Sequence, residues 1–150
     1  MLDINLLRLC RGREPYFQLR GRIPLAAMDK QTVQLLEDFG AYFERFPKAD
    51  DIDMSEFLTL FRARHSGMTK EQHAAYEIVI RSLRTPLPED KKDGVLNSLL
   101  ETRMSHEMAL AIESWNDGEV SNAHAKFREI VDNFERDASV ETLDYIRFDI

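Results

Sequence analysis

The chain has 150 residues, one cysteine and a formal net charge of −7, enough length to bury a core without disulfide or metal support. Cys10 has no internal partner for a disulfide, and no apolar run reaches the roughly 20 residues a membrane span needs. The acidic balance argues against sequence-independent nucleic-acid binding by the surface as a whole, because phosphate contacts need clustered Lys and Arg.

The opening residues place Asp3 first and arginines after the apolar positions, the reverse of a secretory signal. A cytoplasmic protein without membrane contact is expected. Charge is unevenly spread. Residues 1–24 hold Arg8, Arg11, Arg13, Arg20 and Arg22 against Asp3 and Glu14, net +3, which leaves −10 for the rest. These five arginines are the candidate contact for an acidic partner or a nucleic-acid backbone, with Tyr16 and Phe17 available to stack on bases. The competing reading is a solvated helix face.

Apolar residues recur at spacings of three and four, and sustained alternation is missing, so the expected fold class is all-α. Short helices are predicted near Asp3–Cys10 and Glu14–Arg20, the second with Pro15 in its first turn, where a missing N–H costs nothing. Gly21 and Pro24 interrupt. Asp29 then caps a helix through Arg45 with Val33, Leu36, Phe39, Tyr42 and Phe43 on one stripe, closed by Pro47. After the acidic loop Lys48–Asp53, Ser55 is the expected cap of a helix presenting Phe57, Leu58 and Phe61 and ending near His65, before Gly67. Thr69 with Gln72 forms a capping box that opens a helix to about Leu83, burying Tyr76, Val79, Ile80 and Leu83.

The two prolines of Thr85–Pro88 mark the predicted boundary between a globular helical head, residues 1–84, and a carboxy-terminal helical segment. From about Glu89 to Asn116 one long helix carries the apolar row Leu96, Leu100, Met104, Met108, Ile112 and Trp115, with Gly94 weakening its first turn. Gly118 ends it, and Ser121 caps a return helix to Arg136 showing Ala123, Phe127, Ile130, Val131 and Phe134. So short a connection implies an antiparallel two-helix hairpin over residues 85–137. A two-helix hairpin covers only one side of each stripe, so a second copy is expected to cover the remainder. The expected self-association residues are Leu96, Leu100, Met104, Met108, Ile112, Trp115, Phe127, Ile130, Val131 and Phe134. The alternative is that the row packs wholly within its own chain.

Chemistry is sparse. There is no G-x-x-x-x-G-K-[ST], and the six glycines stand singly, so no phosphate-cradling loop is expected. His106-Glu107 opens like a zinc-protease helix, but Leu110 occupies the position of the second histidine ligand. His65, His73 and His124 share no ligand spacing and read as surface or helix-end residues. Cys10 reads as a small buried hydrophobe rather than a nucleophile. Pairs such as Asp50-Asp51 and Glu89-Asp90 flank turns and helix starts, where negative charge offsets the helix dipole. No catalytic, cofactor-binding or metal-binding residue is assigned.

Leu2-Asp3-Ile4-Asn5-Leu6-Leu7, Arg13-Glu14-Pro15-Tyr16, Asp38-Phe39-Gly40-Ala41-Tyr42-Phe43 and Thr69-Lys70-Glu71-Gln72 ahead of Tyr76 together resemble, in their order, the leading segment of DnaB-like, RecA-type replicative helicases carried by bacteriophages. The resemblance runs loosely over the whole length and rests on structural motifs. It implies a non-catalytic collar domain that pairs with copies of itself beside a ring of ATP-hydrolysing motors and docks primase or a helicase loader, in the cytoplasm of the bacterial host. ATP and Mg²⁺ would belong to the motor, whose Walker lysine and Mg²⁺-binding hydroxyl are absent here. On this reading residues 138–150, ending Thr142-Leu143-Asp144-Tyr145-Ile146-Arg147-Phe148-Asp149-Ile150, are a linker toward that missing motor. The alternative is a free-standing helical adaptor that binds a host replication or transcription component. Direct DNA contact by this domain is not the expected role.

Overall fold

The computed structural model describes residues 3–119 and 122–137. Among these the chain is all-α. Its helices are α1 (Ile4–Leu9), α2 (Arg13–Leu19), α3 (Lys30–Arg45), α4 (Met54–Arg64), α5 (Lys70–Ser82), α6 (Lys92–Asn116) and α7 (Ala123–Asp137). Short 3-10 turns at Leu25–Ala27 and Glu89–Lys91 punctuate them. The expected cap at Ser121 and the expected linker at 138–150 lie outside the described residues.

Helix starts follow local chemistry. Asp3, Asp29 and Thr69 each accept a backbone N–H from the first turn of the helix they precede, and Thr69 and Gln72 complete the reciprocal box. One cap differs from expectation. Asp53 caps α4 in place of Ser55, its Oδ1 accepting from the N–H groups of Ser55 at 2.9 Å and Glu56 at 3.2 Å. A carboxylate carries full negative charge toward the helix dipole, which a serine hydroxyl does not. At α7, Asn122 accepts the Ala125 N–H at 3.2 Å.

The long helix begins at Lys92 rather than Glu89, after its 3-10 turn. It ends at Gly118, whose φ of 77° lies in the left-handed region that glycine tolerates best. The Gly118 N–H donates to Trp115 O and the Glu119 N–H to Ser114 O at 2.9 Å, the paired bonds that satisfy a helix's last carbonyls.

The chain divides into two compact units. The first joins residues up to Gly21 with Met28–Glu89, and the second joins Arg22–Ala27 with the residues from Asp90. The division therefore falls five residues beyond the expected end of the head at 84, and the segment between α2 and α3 belongs with α6 and α7. In the first unit an aromatic chain forms the core: Phe39 meets Phe57 edge-on at 5.1 Å, and Phe61 reaches both His65 at 4.5 Å and Tyr76 at 5.0 Å. Leu6, Leu7, Leu35, Ile52 and Leu83 are sealed completely or nearly so. The α3 stripe runs through Thr32, Leu35, Leu36, Phe39, Tyr42 and Phe43. Val33, expected on that stripe, and Tyr76 are each half-buried.

In the second unit α6 and α7 pack together. Arg103 in the first half of α6 pairs with Asp137 at the end of α7, while Ala111 and Ser114 share a cleft with Lys126 and Ile130 nearer the start of α7. The two helices thus run in opposite directions. Leu96, Leu99, Leu100, Ala111 and Ile130 are buried. The turn Leu25–Ala27 also contacts α6.

Candidate interaction surface

The predicted apolar row of α6 does not behave as one stripe. Residues four apart advance about 40° around a helix of 3.6 residues per turn, so the positions from Leu96 to Ile112 wrap progressively around it. Leu96 and Leu100 are buried, Met104 and Met108 half-buried, and Ile112 and Trp115 exposed at 48% and 53%. On α7, Ile130 is buried and Phe127, Val131 and Phe134 are half-buried. Of the ten expected contact residues, Leu96, Leu100 and Ile130 are thus core within their own chain, and seven remain at or near the surface.

Those seven fall on one side of the α6–α7 pair. A cleft of about 350 Å³ runs along the other side, lined by Glu107, Leu110 and Ser114 of α6 and by Lys126, Glu129 and Asn133 of α7, with Ala111 and Ile130 between. At about 100° per residue, Phe127, Val131 and Phe134 lie across Ile130 from the residues that α7 gives the cleft. By the same rule Met104, Met108, Ile112 and Trp115 lie across Ala111 from Leu110 and Ser114. The pair has a mixed side, on which Leu110 is exposed among charged and polar residues, and a continuous apolar side, which ends in its two most exposed large residues, Ile112 and Trp115.

The basic amino-terminal cluster reads differently in three dimensions. Arg8 donates to Ser82 O at 3.0 Å, and Arg11 to Leu83 O at 2.7 Å and Arg84 O at 3.1 Å, both at the carboxyl end of α5. Arg13 donates through Nε to Ala49 O at 2.6 Å and through Nη2 to Phe46 O at 2.9 Å, just past α3. Helix ends leave carbonyls without intrahelical partners, and the guanidinium fork serves several at once. Three of the five arginines are therefore engaged internally. Arg20 lies 4.7 Å from the exposed Phe17 ring, and Arg22 sits in the other unit and is also engaged. The cluster is not a single presented patch.

One polar group gave little sign of itself in the sequence. Asp38, with its side chain 1% exposed, accepts from Arg64 Nε at 2.9 Å, His65 Nε2 at 2.9 Å and Gln34 Nε2 at 3.2 Å. His65 stands at the carboxyl end of α4, a helix-end residue as expected, and is also a half-buried partner of a buried carboxylate; its carbonyl accepts from His73 Nε2 at 2.8 Å. Gln34 and Asp38 one turn apart on α3 gave a local hint. The 27 residues separating His65 from Asp38 gave none. These three partners all donate to the carboxylate, so the cluster ties the carboxyl end of α4 to α3.

Burial pushes the Cys10 thiol up to about 12, with Asp3 adding to the shift. Such a thiol stays protonated near neutrality, which is the reverse of nucleophile activation. Among the described residues no group of three His, Cys, Asp or Glu side chains is placed to hold a metal ion, and no helix is long and apolar enough to cross a membrane. No family model, curated protein or solved structure matches the chain.

Proposed function

We propose that the chain is a non-catalytic assembly module that associates with copies of itself through the apolar side of α6 and α7, the hairpin expected from the sequence. The observation that carries this is the exposure of Ile112 and Trp115 beside Met108 and Phe127 on a single side of the pair. Burying a large apolar side chain is worth roughly 1.5–3 kcal/mol, and several such residues in one patch mark an association surface.

In its wider form the proposal is a collar and partner-docking domain of a bacteriophage DnaB-like replicative helicase, with ATP hydrolysis assigned to a motor outside this chain and primase or a loader as the docking partner. Support for this wider form is the ordered set of short motifs from Leu2 to Tyr76. The alternative is a free-standing adaptor. Internal engagement of Arg8, Arg11 and Arg13 lends no support to DNA contact through the basic segment.

Light scattering at micromolar concentration tests the assembly. The wild-type chain is expected to exceed the 17.5 kDa of a monomer, and Met108→Glu with Phe127→Glu to return it to that mass while far-ultraviolet circular dichroism stays helical. A monomeric wild type, or a folded double variant of undiminished mass, would overturn the proposal. Sequencing the gene beyond Ile150 tests the wider form: a motor carrying G-x-x-x-x-G-K-[ST] is expected, and a stop codon there would favour the adaptor.

A further inference from the structure

The polar rim of the apolar side carries a pattern that specifies how a second copy would lie. Arg128 and Glu135 are seven residues apart on α7, two turns, so both project from nearly the same angle, just outside Val131. Both are exposed. Among the described residues Arg128 has an exposed 3.3 Å contact with His124, whereas Lys126 and Glu129, across the helix, pair with each other at 3.8 Å. The midpoint between Arg128 and Glu135 falls beside Val131. Turning α7 end for end about that point exchanges the cation with the anion and brings Phe134 to within two residues, about 3 Å, of the level of Phe127. A helix whose rim cation and anion exchange under this reversal, with the two phenylalanines about half a turn out of level, is self-complementary in charge across a two-fold axis. The other face-to-face arrangement keeps the loops together and sets α6 against α7. It places Arg128 at the level of Ile112 and Glu113, the glutamate lying on the side of α6 turned away from the docking face, and leaves Glu135 opposite Ser105, so at most one of the two charges is matched.

We propose that two copies dock their apolar sides with α7 antiparallel to α7 of the partner copy, Arg128 of each meeting Glu135 of the other, so that the two α6–α7 loops point to opposite ends. This rests on self-association through this face. The occupant is a second copy because the charge pattern complements itself, and the pair contributes register and direction more than affinity, as rim charges do.

Charge reversal tests it. Arg128→Glu and Glu135→Arg, each alone, are expected to weaken association about tenfold at low salt, since each places two like-charge contacts in the assembly, and the double reversal to restore it to within about threefold. Direction is read separately from spin labels at Glu119→Cys. At about 1.5 Å per residue from Val131 to the loop in each copy, the labels should stand roughly 30 Å or more apart. Single reversals without effect, a double reversal that fails to restore binding, or labels within about 20 Å would overturn the antiparallel register while leaving self-association standing. A monomeric wild type would remove both.

Discussion

Arg8, Arg11 and Arg13 were visible in the sequence as charge, and their use was not. A charge count cannot distinguish a guanidinium facing solvent from one closing the end of a neighbouring helix, because the carbonyls that Arg8 and Arg11 serve lie more than seventy residues along the chain. Cys10 was legible, since a lone cysteine among leucines packs as a small apolar residue, and it is fully buried. Its thiol makes stability depend on alkaline pH. A group whose folded value is raised contributes stability that is complete below its ordinary value, 9.0, and lost as pH rises toward about 12. Burial also raises Tyr16, Tyr42 and Tyr76, which steepens the alkaline loss in the same direction. Denaturant titrations from pH 8 upward should therefore show the stability of wild type falling toward that of Cys10→Ala, with the difference shrinking above pH 9. A constant difference across that range would contradict the assignment.

Helix termini were the best-read elements, because a cap is a local exchange among residues three or four apart: Asp29, the Thr69–Gln72 box and Gly118 all act as their spacing implies. Contacts between helices were not readable in this way. Gly40 stands inside α3, where alanine would ordinarily be favoured by about 1 kcal/mol. An added Cβ there would lie 2.5 Å from Tyr16 Oη, with the ring carbon behind it at 3.4 Å. Glycine is thus explained by α2 crossing close to α3, and the hydroxyl is the obstacle. Gly40→Ala should destabilise the wild-type chain yet stabilise a Tyr16→Phe background, with coupling of about 1 kcal/mol or more in chemical denaturation. Equal effects in both backgrounds would refute the close crossing. The α6 row shows the opposite failure, a sequence pattern overread as one face when a four-residue step carries it around the helix.

At the scale of the whole molecule, the sequence revealed an all-α chain with a break near the prolines, since periodicity and breakers are local. It did not reveal that Arg22–Ala27 groups with α6 and α7, or that Asp38 would gather Arg64 and His65, because both depend on how distant segments return. The α6–α7 surface was half legible: its apolar residues were named, but which of them stay uncovered depends on the rotation of two packed helices. Trp115 offers the most direct view of that surface, being the chain's one tryptophan and about half exposed. Its fluorescence should be measured from high micromolar to low nanomolar protein. Self-association through this face requires the emission maximum to move to longer wavelength on dilution, with the midpoint at which the mass falls to 17.5 kDa. An emission maximum that stays fixed while the mass falls would place the interface elsewhere, and a fixed maximum with a monomer mass throughout would contradict self-association itself.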